Sequence, residues 1–164
     1  MIFIIHYVQS GDTIYNISVH YGVHMLSIIY ANDIANPNTI NIGEKLIIPD
    51  QRDNPFSIEI DRKKRILKLL RNVTAIKEYK AAVGKPSTPT PPGKWKIIKK
   101  NLWGEQFGGT FLRLSVPWGI YGIHGTNKPW SIGKNVSNGC IRMYSYQAEE
   151  LRNVIPINTL VNIY

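Results

Sequence analysis

A chain of 164 residues with 43% hydrophobic content can bury one moderate core, or one moderate core and one very small one. A single cysteine excludes both an internal disulfide and a thiolate-rich zinc site, and no apolar stretch approaches the ~20 residues of a membrane-spanning helix. The net charge of +9 is unevenly placed: residues 1–50 carry −3 and residues 51–164 carry +12, so the polar joint PDQRDNPF at the change of sign divides a domain over 1–50 from one over 55–164.

In chain order, the apolar run Met1–Ile5 lacks the basic flank and small-residue cleavage site of a secretory signal, and no export signal is expected. IIHYVQ reads as a strand that runs into Gly11-Asp12. Ile14, Ile17 and Tyr21 then recur at helical spacing, with Asp12 or Thr13 to cap the helix and Gly22 to stop it. HMLSIIYAN is a second helix with Met25, Ile28 and Ile29 on one face. Its cap position falls on His24, a poor capping residue, which predicts a frayed start. NPNTINIGE is a turn, and KLIIP a strand closed by Pro49. The order is strand, helix, helix, strand.

YVQSGDTIYNISVHYGV, followed by IIYAN, NPN and GEKLIIP, resembles a LysM module over residues 6–49. The resemblance implies binding of N-acetylglucosamine-containing glycans, with Gly11, Asp12, Thr13 and Ile14 on one side of a shallow groove and Ile40, Asn41 and Ile42 on the other. Read from the residues alone, Gly11-Asp12 is a helix-entry turn and the isoleucines are core.

Beyond the joint the hydrophobic period changes to two. FSIEID and RILKLL flank the basic tip RKK as a hairpin, where Lys63 and Lys64 are solvated turn residues, and AIKEYKAAVG reads as a third strand. GKWKIIKK, TFLRLSV, YGIHG, GCIRM and TLVNIY follow as short strands, and SYQAEELRNV is the one helix, with Ser145 at its N-cap. The fold class is a mainly β domain, a sandwich or partly closed barrel holding one helix, behind a small βααβ domain.

The lone cysteine sits in this second domain as GCIRM. Gly139 removes bulk beside Cys140 and tolerates unusual backbone angles, as a nucleophile approached by an acyl carbon requires. If GCIRM is extended, Cys140 and Arg142 share one face, Ile141 and Met143 the other, and the guanidinium favours the thiolate. His124, at the end of YGIH, can serve as general base or ion-pair partner. Ser137 and Thr126 place hydroxyls near the two ends of a loop rich in glycine, proline, asparagine and serine. Against this stands the plain reading of a buried thiol and a hydrogen-bonded core histidine.

IHGT followed by S-N-GCIRM, with VGKPSTPTPPGKWKI upstream, resembles the YkuD-type L,D-transpeptidase catalytic domain over residues 56–164. That resemblance implies Cys140 as nucleophile, His124 as its base and the Gly125 carbonyl orienting the imidazole. Ser137 and Arg142 line the site, and the backbone N–H groups of Gly139 and Cys140 face the oxyanion. Asn138 stands where many relatives have histidine, so no catalytic role is carried over to it, and Thr126 and Asn138 are assigned to substrate contact. The implied reaction is acyl transfer from a tetrapeptide stem of peptidoglycan, releasing D-alanine and forming a 3→3 cross-link, with no metal and no cofactor. L,D-carboxypeptidase activity and a non-catalytic wall-binding protein stay open beside it.

The +12 charge suits an anionic wall polymer. No helix-turn-helix, zinc-finger or aromatic RNA-binding signature supports nucleic acid. Peptidoglycan is therefore the expected partner, and the cell wall or spore envelope the expected location.

Overall fold

The structure is a computed structural model that describes residues 3–164. Met1 and Ile2, the first residues of the apolar run discussed above, lie outside the described residues. Strand β1 (Ile4–Tyr7) pairs antiparallel with β2 (Lys45–Ile48), and helices α1 (Ile14–Tyr21) and α2 (Met25–Asn32) pack between them in sequence. Val8, Ile14, Ile17, Ile28, Leu46 and Ile48 form a small buried core, each isoleucine or leucine contributing about 1.5–3 kcal/mol by leaving water.

The caps explain where these helices begin. Thr13 accepts from the Asn16 backbone N–H at 3.1 Å, and the Asn16 side chain accepts from the Thr13 backbone N–H, a reciprocal capping box. Asp12 is not the cap; it accepts from the Gln9 N–H and from His6 Nε2. Nor is the start of α2 frayed, because His24 Nδ1 accepts from the Leu26 N–H at 3.1 Å. That bond needs an unprotonated Nδ1. Burial, and the nearby Arg152 and Lys100 charges, hold the His24 pKa below the ordinary value.

The second domain contains β3 (Phe56–Asp61), β4 (Ile66–Arg71), β5 (Thr74–Lys80), β6 (Val83–Gly84), β7 (Gly93–Asn101), β8 (Phe111–Leu114), β9 (Gly122–His124), β10 (Asn135–Ser137), β11 (Ile141–Arg142), α3 (Ser145–Val154) and β12 (Leu160–Ile163). Eight of the strands form one sheet in the order β11-β9-β8-β7-β12-β3-β4-β5, parallel at β9/β11 and β12/β3 and antiparallel elsewhere. The stretch read as one third strand is two strands, β5 and β6. Between them Ala82 bridges to Arg142, so the chain leaving one edge of the sheet meets the strand at the other edge. The sheet is thereby curled into a partly closed barrel. β6 pairs in parallel with β10 beside it.

Helix α3 covers the concave face. Ala148, Leu151 and Val154 are fully buried against Ile58, Ile60, Leu67, Ile97, Leu112, Ile123, Ile141 and Met143. Ser145 is not its N-cap: it is the first helical residue, and its hydroxyl donates to the Thr126 carbonyl at 3.2 Å, tying the helix start to the chain just after β9. Lys100 Nζ donates to the carbonyls of Arg152 and Ile155, which satisfies the other end of α3.

The small domain also packs on the large one. Ala31 belongs to the larger core, Leu26 and Tyr30 lie against it, and the Tyr30 hydroxyl and Lys77 ammonium both donate to the Glu150 carboxylate. Arg71 donates to the Tyr30 carbonyl at 2.6 Å.

Candidate active site

The register of β9 and β11 builds the site. Parallel pairing sets Arg142 beside His124 and Ile141 beside Ile123, with the Met143 N–H donating to the His124 carbonyl at 2.8 Å. Ile123, Ile141 and Met143 are fully buried in the core beneath the sheet, so His124 and Arg142 project from the opposite face. Cys140, two residues before Arg142, takes that same face one step along, beside Gly122. Its Sγ lies 4.0 Å from the Ile120 carbonyl, and Gly122 supplies it with a backbone hydrogen bond. The alternation expected of GCIRM is seen in the buried Ile141 and Met143 on either side of the half-buried Arg142, and only Ile141 and Arg142 are in a strand.

Gly139 is at φ +117, and a Cβ there would come 2.6 Å from Cε1 of Tyr121. Both the backbone conformation and the aromatic beneath it require glycine. The turn is braced by Ser137, whose hydroxyl donates to the Cys140 carbonyl at 2.6 Å and accepts from the Gly139 N–H at 3.1 Å. Two expectations change as a result. Ser137 is buried and acts on the turn that presents Cys140. The Gly139 N–H is already hydrogen-bonded, which leaves Cys140 as the nearer source of a backbone donor for an oxyanion.

His124 is 5% exposed, and its Nδ1–H donates to the Gly125 carbonyl at 2.5 Å, which leaves Nε2 as the free nitrogen. Desolvation, reinforced by the Arg142 charge, lowers its pKa to about 4, and the Gly125 bond opposes this only in part. Burial pushes the Cys140 thiol above its ordinary 9.0, although Gly122 and Arg142 act in the opposite direction. The expectation that Arg142 favours the thiolate holds in direction but not in outcome. The guanidinium does pull the thiol pKa down, but the loss of water around a sulfur recessed in the sheet outweighs it. At neutral pH the resting pair is a thiol and a neutral imidazole.

Thr126 is buried, its hydroxyl accepting from the Lys128 N–H at 3.0 Å, so it shapes the loop rather than facing outward. Asn138 is exposed at the rim. Of the residues assigned to a glycan groove, Gly11, Thr13, Asn41 and Ile42 are exposed and Asp12 and Ile40 half-buried, whereas Ile14 is 2% exposed and belongs to the core. Its side chain is packing, which the helical spacing of Ile14 and Ile17 had signalled. Among the described residues no three His, Cys, Asp or Glu side chains group as a metal ion requires.

Sequence reasoning missed the aromatic shell on His124. Phe111, directly opposite on β8, lies parallel to the imidazole at 5.7 Å between centroids, and Phe107 meets it edge-on at 5.1 Å. Trp103 stacks on Phe111 at 3.9 Å. Alternation along TFLRLSV could have placed Phe111 on the His124 face, since Leu112 and Leu114 take the core.

The YkuD L,D-transpeptidase catalytic domain family matches residues 55–163, and the LysM domain family matches residues 6–49. The chain is 37% identical over 160 residues to the provisionally named L,D-transpeptidase YkuD of Bacillus licheniformis, covering 95% of this chain and 96% of that protein. Among solved structures, an L,D-transpeptidase from Mycobacterium smegmatis superposes with a TM-score of 0.60 at 18% identity, over 76% of this chain and 64% of that one. The L,D-transpeptidase LdtMt1, solved in complex with imipenem, gives 0.58 at 20% identity over 67% and 59%. These two show the shared fold, and the family rests on the domain match and the Bacillus relative. The chain belongs to the YkuD family of L,D-transpeptidase catalytic domains, here preceded by a LysM domain.

Proposed function

We propose that the protein forms 3→3 cross-links in peptidoglycan through a cysteine acyl-enzyme, with the LysM domain holding the glycan. The observation that supports this reading is the parallel β9/β11 register, which pairs Arg142 with His124 directly after Cys140 and Ile141, so that the Arg142 charge acts on both the imidazole and the thiol. Cys140 Sγ attacks the carbonyl of the L-centre of diaminopimelate in a tetrapeptide stem while its proton passes to His124 Nε2. The peptide C–N bond breaks, and the imidazolium returns the proton to the departing D-alanine amine. The side-chain amine of a second stem then attacks the thioester. His124 takes its proton, the C–S bond breaks, and the departing Cys140 thiolate takes that proton back from the imidazolium.

Because the resting pair is neutral, transfer of the thiol proton belongs to the attack itself. A neutral imidazole is the competent form of the base, and a pKa of about 4 keeps it so. The Cys140 N–H, which donates to no backbone carbonyl among the described residues, is the donor for the oxyanion in this reading, and Arg142, which makes no ion pair among them, meets a stem carboxylate.

Purified tetrapeptide stems test the reading. Wild-type protein is expected to release D-alanine and yield stem dimers, and Cys140→Ala neither. Tripeptide without dimer would assign an L,D-carboxypeptidase. Binding of the wall polymer with neither product, and no carbapenem mass added at Cys140, would leave a non-catalytic wall-binding protein. The reading carries a wall or spore-envelope location, which fluorescence confined to the cytoplasm of growing cells would contradict.

A further inference from the structure

The segment 102–110, between β7 and β8, reaches across to the imidazole of His124 without belonging to either strand that carries the site. It contains a single turn of 3-10 helix, Glu105–Phe107, with the Phe107 and Gly108 N–H groups donating to Gly104 and Glu105, and it is closed by the Trp103 N–H on the Gly109 carbonyl at 3.3 Å. Gly108 adopts φ +58. A Cβ there would meet Ser145 Oγ at 2.2 Å and Gly125 Cα and Thr126 N at 2.7 Å. In return, a Cβ on Gly125 would meet Gly108 Cα at 2.9 Å. Two glycines therefore let this loop sit directly on the peptide whose carbonyl accepts from His124 Nδ1–H. The half-buried Phe107 ring of the loop meets the imidazole edge-on at 77°, while Phe111 lies nearly parallel to it at 16°. Phe107 also meets Phe111 at 87°, and Trp103 covers the remaining side of Phe111.

We propose that Phe107 is a positioning residue for His124. The 102–110 loop seats it as the wall that fixes the imidazole plane, keeps the Nδ1–H on the Gly125 carbonyl, and excludes water from the base. This inference rests on the proposed role of His124 and adds a part of the chain with no cysteine, histidine or motif residue in it. Burial is the main cause of the low His124 pKa, and Phe107 from the loop is one of the two phenyl rings packed on the imidazole, the other being Phe111 from β8. The charged and titratable groups on the neighbouring elements are few. Arg142 lies on β11 and Cys140 just before it, Arg113 lies on β8, Glu105 is the one carboxylate in the loop, and the first turn of α3 carries only the Tyr146 phenol. Of these, Arg142 is the one whose charge reaches His124.

The test is an NMR titration of the histidine ring in the free protein, which needs no substrate or turnover and so stands or falls apart from the transpeptidase reading. Wild-type His124 is expected to titrate near 4, identified among the four histidines by its absence in His124→Gln. Phe107→Ala should raise the midpoint by one unit or more. Phe107→Leu, which keeps bulk and carries the test if the alanine variant does not fold, should raise it by a smaller but resolved amount. The acid limb of the kcat/KM profile should move up by the same steps. Midpoints within 0.2 units of wild type in the folded variants overturn the proposal, and a fall in activity without a shifted midpoint does so too, since the loop would then be only a wall for substrate.

Discussion

Alkylation of Cys140 by iodoacetamide in the free protein should rise with pH without a plateau. The thiol is held above 9.0 by burial and the imidazole at about 4, so the two do not exchange a proton at rest. A thiol titrating at 9.0 is about 1% ionised at pH 7, and Cys140 should be less ionised than that. An imidazole titrating near 4 is protonated to about 0.1% at the same pH. The second-order rate constant should therefore climb about tenfold per pH unit from 6 to 8.5 and keep climbing past 9. Intact mass reads the reaction at one site only, because the chain has a single cysteine. A preformed thiolate–imidazolium pair would instead give a flat rate between about pH 5 and 8, the interval bounded by its two ionisations. Observing that plateau would refute the argument that desolvation outweighs Arg142.

Three further outcomes follow from the same geometry. His124 titrates below its ordinary 6.5 in the folded chain, so between about 6.5 and 4 the unfolded state binds the extra proton, and stability should fall as pH falls through that window, by about 3 kcal/mol in total; urea titrations at pH 7 and 4.5 should show most of this loss, about 2 kcal/mol, in wild type and lack it in His124→Gln. Gly139→Ala, which places a Cβ 2.6 Å from Tyr121 at φ +117, should cost about 1–3 kcal/mol of stability and slow carbapenem acylation; unchanged melting and mass gain would contradict the close approach. Glu150→Ala removes the acceptor shared by Lys77 and Tyr30 at the domain contact. Since Lys77 is 38% exposed and screened by solvent, it should cost only about 1 kcal/mol in urea titration and leave the alkylation profile of Cys140 unchanged.

Local pattern was enough for much of this protein. The spacing of Ile14 and Ile17, the Gly22 stop, the period of two in FSIEID and RILKLL, and the apolar Ile141 and Met143 flanking Arg142 are all readable from neighbours in the chain, because helix and strand periodicities project side chains by local geometry. The glycine before Cys140 was readable for the same reason: a left-handed φ is a property of one residue. His24 shows the limit of such rules, since its ring nitrogen caps α2, and desolvation together with the Arg152 and Lys100 charges brought near by folding favours the neutral form that the cap requires.

The electrostatics of the site could not be read this way. Sequence placed Arg142 two residues from Cys140 and pointed to a thiolate, yet the sign of the shift is set by how much water the curled sheet removes, a quantity summed over residues far apart in the chain. The same holds for Ser137, whose hydroxyl is committed to the Cys140 turn, and for Phe107 and Phe111, which reach His124 from strands and loops earlier in the sequence. The sequence by itself determined which residues carry reactive groups and which face of each element they occupy. Only the tertiary structure decided which of those groups are dry, which donors are already bound, and how the two domains lean on Glu150, because desolvation and hydrogen-bond competition depend on every neighbour in space.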